Sequence, residues 1–129
     1  MDMPVPERGF AFYSSQRHEA LTGLRATPDV LSREVDLSAA VEKNAVLEAF
    51  ARSLDFPSSY LPYLNYDSFE AAVRDLSWLP FDKLVLVLTD CSRQWADDYA
   101  VMATMLEILA DTHAFWQQRD KVFFVAFVA

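Results

Sequence analysis

The sequence predicts an α/β fold: a small, mainly parallel sheet of three or four strands with helices packed against it. Three observations carry that prediction. Residues 84–89 (LVLVLT) and Val122–Val128 (VFFVAFV) are unbroken apolar runs rich in β-branched and aromatic types, the pattern of strands covered on both faces. Between them, residues 96–118 place Met102, Met105, Leu106, Leu109 and Trp116 at helical spacing, with Asp97 and Asp98 expected in the first turn. A strand, a helix and a strand in that order join as a right-handed parallel crossover, which needs a layer of helix over sheet.

The remaining elements follow along the chain. Residues 1–8, with two prolines, read as a loose arm. Residues 9–13 (GFAFY) read as a short strand and residues 16–25 as a short helix ended near Thr27 and Pro28, so 9–28 form an addition ahead of a main unit at 30–129. Residues 30–37 (VLSREVDL) alternate imperfectly and read as a strand. Residues 43–54 read as a helix with Leu47, Phe50, Ala51 and Leu54 on one side, stopped before Pro57. A loop over 57–64 precedes a second helical segment within 64–80, LNYDSFEAAVRDLSWLP.

Length and composition limit what the chain can do. With 129 residues it is long enough for one core and too short for two ordinary domains, so 1–129 is expected to be a single domain. Hydrophobic content of 53% with only 2 Gly argues for a packed chain and against disorder. The 19 acidic against 11 basic residues give a net charge of −8, which repels phosphate backbones and anionic membranes and attracts a basic protein. Nucleic acid and membrane are therefore not expected partners. The single cysteine allows no internal disulfide, the start carries no apolar secretory segment, and no run reaches transmembrane length, so the expected location is the cytoplasm.

The segment 64–80 carries the functional reading. With Asn65 as cap, Phe69, Ala72, Val73 and Leu76 fall on one stripe and pack inward. At 100° per residue Asp67, Glu70, Ala71 and Arg74 point the other way, so two carboxylates stand in solvent near the positive end of the helix dipole. Carboxylates in a first turn also stabilise a helix unaided, so a plain solvated face is the alternative. Tyr60, Tyr63 and Tyr66 put three phenols within seven residues beside those acids. Tyrosine gives large contact area at small entropic cost, and at least one is expected to face a partner. For any single one, packing back on the neighbouring helix is equally open.

The run FPSSYLPYLNYDSFEAAVRDLSWLP, 56–80, resembles the barstar family of ribonuclease inhibitors. The family signature is a helix ending in an aromatic-Pro pair, a Tyr-rich loop, then Asn-aromatic-Asp opening the next helix; Asn65, Tyr66 and Asp67 match that triplet. The likeness continues through 75–80 and the strand after it, and more weakly over about 33–129. It implies a barstar-like layered fold, no catalysis, and a stoichiometric inhibitor or immunity protein of the toxin–antitoxin kind, monomeric when free. It also implies that Tyr60, Tyr63, Asn65, Tyr66, Asp67, Glu70 and Arg74 meet the cationic active site of a basic ribonuclease or related toxin, the carboxylates standing in for substrate phosphates. Two departures stand out: Ala71 occupies the place where family members carry a second acid, and the 57–65 loop is longer and lacks the family glycine. A binding module for a partner that is not a nuclease is the alternative in the same fold.

The enzyme alternative rests on Asp90, Cys91, Ser92 and Arg93, at the carboxyl end of a strand where parallel sheets commonly bind ligands. Cys91 has no local partner at a recognised spacing, and two exposed carboxylates on a helix lack the apolar pocket that separates acid from base. His113 is expected at a helix surface or edge, and His18 carries no signal. One Cys and two distant His draw no metal constellation, and the chain has no Gly-rich phosphate cradle, so no cofactor is expected. Trp78, Trp95 and Trp116 are expected in packing, as are Met102 and Met105.

Overall fold

The computed structural model describes residues 9–13, 29–40 and 42–129. The arm at 1–8, the helix expected at 16–25, its stop at Thr27 and Pro28, and His18 lie outside the described residues. The described elements are β1 (Phe10–Tyr13), β2 (Val30–Asp36), α1 (Lys43–Ser53), a 3-10 turn (Leu61–Tyr63), α2 (Tyr66–Val73), β3 (Lys83–Thr89), α3 (Ser92–Asp97), α4 (Tyr99–Gln117) and β4 (Val122–Val128). The strands form one sheet in the order β1-β4-β3-β2, and every pairing is parallel. A mainly parallel sheet of three or four strands is thus a wholly parallel sheet of four.

The central strands explain their own composition. Leu84, Leu86 and Leu88 of β3 and Phe123, Val125 and Phe127 of β4 face the helices and join the main core. Their alternate neighbours Val85, Val87, Phe124, Ala126 and Val128 form a second buried layer on the opposite face. Side chains alternate along a strand, so burial on both faces demands an unbroken apolar run. The strand at 9–13 expected from sequence pairs with β4 from Phe10↔Val125 to Tyr13↔Val128.

The helices pack by the stripes read from the sequence. Leu47, Phe50 and Ala51 of α1 are buried, with Leu54 just beyond its end. Phe69, Ala72 and Val73 of α2 are fully buried, each large side chain contributing about 2 kcal/mol or more through removal from water. Leu76 is buried as well but lies past the helix in the left-handed region, φ 48°, with its N–H on the Ala72 carbonyl. That conformation ends α2 at Val73, short of the full 64–80 segment; Leu76's burial offsets its strain.

Two expectations are corrected. The single helix expected over 96–118 is two, α3 and α4, broken at Asp98 (φ −138°, ψ 48°). Asp97 therefore ends a short helix and Asp98 stands at the junction; neither occupies a first turn. The break lets Gln94 of α3 turn inward and donate to the Leu37 and Ala40 carbonyls, tying α3 to the end of β2. His113 is buried, not at a surface or edge: Nδ1 donates to the Phe123 carbonyl at 3.0 Å, and β1 enters directly over the ring.

Gly9 makes that entry possible. Its φ of +79° favours a residue without Cβ, and a Cβ there would collide with the His113 ring. Gly9→Ala is expected to cost about 2 kcal/mol of stability, read as a lowered urea midpoint. Adding His113→Ala should recover part of the loss by removing the collision. An unchanged midpoint in Gly9→Ala would contradict this packing.

Candidate partner-binding face

The candidate face is built from the 3-10 turn upward. Tyr60 N–H donates to the Pro57 carbonyl and Leu61 N–H to the Ser58 carbonyl, and Pro62 fixes the backbone of the turn. Tyr60 is half-buried, its ring 6.0 Å from Phe56 and 5.9 Å from Trp78, so it anchors the loop in the absence of glycine. Trp78 is fixed in turn by its Nε1–H on the Leu54 carbonyl, 2.9 Å. Tyr63 is the last residue of the turn. Leu61 stands 50% exposed at its start, an apolar side chain the sequence reading did not single out. Its signal was present: it is a leucine before proline that belongs to no helical stripe.

Asn65 caps α2 as expected and does so reciprocally. Its side-chain oxygen accepts from Ser68 N–H at 2.9 Å, while the Ser68 hydroxyl accepts from Asn65 N–H at 2.9 Å. This capping box satisfies two otherwise orphaned donors and fixes the direction in which the first turn points. Asp67 lies in that turn, exposed, and among the described residues it has no ion-pair partner. Tyr66 is half-buried with the Lys43 ammonium 5.0 Å from its ring centroid.

The other carboxylate is engaged. Glu70 pairs with Arg74 one turn on, 3.0 Å, both side chains more than one-third exposed or nearly so (39% and 33%). Arg74 also lies 5.8 Å over the Phe115 ring, which Arg119 covers at 3.6 Å. Ala71, exposed between Asp67 and Arg74, adds no charge. Among the described residues the face thus holds one carboxylate without an ion pair, one paired carboxylate and a guanidinium. An exposed pair of this kind contributes at most about 1 kcal/mol, so an incoming cation can take Glu70 at small cost. Asp97 and Asp98 are not brought to Arg74's end of the face: α2 meets α4 at Phe115 and Trp116, while Asp98 lies before the start of α4, roughly 25 Å along its axis.

The loop after β3 has a different character. Asp90 is exposed with φ 59°, whereas Cys91 is buried, its thiol on the Leu88 carbonyl and its N–H on the Val128 carbonyl. Removal from water pushes the thiol up from near 9 to about 12, and the Asp90 charge acts in the same direction. Arg93 donates to the Ser38 carbonyl. Among the described residues no group of three or more His, Cys, Asp or Glu could hold a metal ion, and no helix is long and apolar enough to cross a membrane.

A small α/β protein with a four-stranded parallel sheet and an open capped helix carrying an exposed carboxylate is the class these features define. Residues 30–128, more than three-quarters of the chain, match the family described as Barstar (barnase inhibitor), and the chain belongs to that family. No curated protein and no solved structure matches it. The matched region begins with β2 and ends with β4, leaving β1 ahead of it.

Two measurements check the local chemistry. Asn65→Ala is expected to cost about 1 kcal/mol in chemical denaturation by removing the cap. Cys91 is expected to resist iodoacetamide at about pH 8, where its buried thiol stays protonated, and to react once the chain is unfolded in urea. Rapid labelling of the native protein would contradict its burial.

Proposed function

We propose that this protein is a stoichiometric inhibitor, an immunity protein of the barstar type, that occupies the cationic active site of a basic ribonuclease or related toxin in the cytoplasm. It acts by covering that site and performs no turnover of its own. The observation that carries the reading is Asp67: an exposed carboxylate without an ion-pair partner among the described residues, on a helix whose first turn is locked by the Asn65–Ser68 capping box. Membership of the barstar family supports it.

In this reading Asp67 takes the place of a substrate phosphate and accepts hydrogen bonds from Arg or Lys of the partner. Glu70 exchanges Arg74 for a partner cation, and Arg74, held against Phe115, limits how much positive charge the partner brings next to it. Asn65 keeps the turn in place, Tyr63 and Tyr66 give contact area, Tyr60 steadies the loop, and Leu61 adds an apolar contact. The net charge of −8 draws a basic partner in before any contact forms.

A second reading follows from Ala71. An exposed alanine where the family carries an acid leaves the face with less charge than an inhibitor of a strongly basic site requires, which favours a less cationic partner that is not a nuclease. Barnase is the direct probe, because it is the enzyme the family description names.

The test is titration of barnase activity by the purified protein. The inhibitor reading expects stoichiometric loss of activity, weaker by roughly tenfold or more in Asp67→Ala and further in Asp67→Ala with Glu70→Ala, since a hydrogen bond to a charged group contributes about 1.5–3 kcal/mol. Association should slow as salt rises. Binding indifferent to both carboxylates and to salt contradicts the charge mechanism; absence of inhibition favours the second reading.

A further inference from the structure

The junction of α3 and α4 borders a groove that the proposed inhibitory face does not use. Ala40, Arg93, Gln94, Asp97 and Asp98 line it, around a space of about 190 Å³. It lies at the opposite end of α4 from Phe115, where α2 packs. Gln94 is 3% exposed and is the most deeply set polar side chain of the lining. Its Nε2 is committed, donating to the Leu37 and Ala40 carbonyls, whereas its Oε1 accepts no hydrogen bond. A buried amide oxygen without a donor is destabilising, and a donor entering the groove would relieve it.

The two carboxylates of the lining are uncommitted as well. Neither Asp97 nor Asp98 forms an ion pair among the described residues, and Asp98, although it stands at the N-cap position of α4, makes no capping bond. Arg93 also lines the groove, but its guanidinium donates to the Ser38 carbonyl, and Ser38 belongs to the neighbouring groove with Asp90 and Ser92. The carboxyl end of α3 meets the amino end of α4 at Asp98, so their opposed dipoles largely cancel and the side chains set the charge.

Three oxygen acceptors without donors define the ligand. An alkylammonium carries three N–H donors and no acceptor, one for each of Gln94 Oε1, Asp97 and Asp98. A hard divalent cation asks for about six or more oxygens, and among the described residues no third carboxylate, His or Cys joins the pair. Ala40 and the carbon stem of Arg93 give an apolar wall for the chain that carries such a head. The net charge of −8 draws basic proteins toward the surface before contact. We propose that this groove receives a lysine side chain of a basic protein partner, its ammonium donating to Gln94 Oε1, Asp97 and Asp98. The site uses none of the residues assigned to the inhibitory face, so either proposal can fail alone.

The probe is N-acetyl-lysine methylamide, titrated into the full chain while the Gln94 side-chain amide protons are followed by NMR. Those protons are held on the Leu37 and Ala40 carbonyls, and they shift when their own amide oxygen takes a donor. Saturable shifts are expected there and at the backbone amides of residues 97 and 98, at roughly millimolar probe. Asp97→Asn with Asp98→Asn, isosteric changes outside the core, should weaken binding by roughly fivefold or more. Asp67→Ala should leave it unchanged. Tetramethylammonium, which carries the charge and no donor, should not move the Gln94 amide, and this separates hydrogen bonding from simple attraction. A Gln94 amide that stays still at every attainable probe concentration, or that answers tetramethylammonium equally, would overturn the proposal. So would a response to calcium at lower concentration than to the lysine probe, which would assign the groove to a metal ion.

Discussion

The placement of α2 depends on how its two ends are held. At its beginning the Asn65–Ser68 capping box sets the entry of the chain; at its end the Trp116 Nε1–H donates to the Val73 carbonyl at 2.9 Å, pinning the last turn to α4. Between them Phe69 packs edge-on against Phe50 of α1 at 5.3 Å. An eight-residue helix is too short to be stable alone, so these tertiary contacts create it. Because the inward stripe is fixed, so is the outward one, and Asp67 points to solvent as a consequence of what Phe69 and Val73 bury.

The electrostatics of that face differ from what the net charge implies. A chain at −8 could be expected to show an acidic front, yet along α2 and its neighbours lie Lys43 over Tyr66, Arg74 on Glu70 and, where α4 meets the far end of α2, Arg119 on Phe115. In the proposed role the long-range acidic field would guide approach, while the mixed short-range pattern would select among partners. Under the proposed inhibitory role, a partner would present cations to Asp67 and tolerate Arg74 on the same helix, a narrower requirement than basicity alone.

Much of this was legible in the sequence, and the exceptions have physical causes. The strands were legible because burial on both faces forces unbroken runs such as LVLVLT, and the cap of α2 because Asn65 stands immediately before an apolar stripe. The break at Asp98 was hidden because apolar spacing continues across it, and nothing local shows that Gln94 must turn inward to reach Leu37 and Ala40. His113 was misplaced because its burial comes from β1, more than a hundred residues earlier, landing on it with a glycine. The Glu70–Arg74 pair was readable from i, i+4 spacing; that Phe115 would hold the guanidinium was not, since it depends on how α2 and α4 pack.

The central claim is that a partner covers the capped start of α2. Cross-saturation NMR on the labelled protein bound to unlabelled barnase tests it most directly, because the transfer reports which amides lie at the interface. The account predicts saturation concentrated on residues 60–74, strongest near Asp67 and Glu70. Saturation centred on β1 and α3 instead, with the start of α2 untouched, would contradict it.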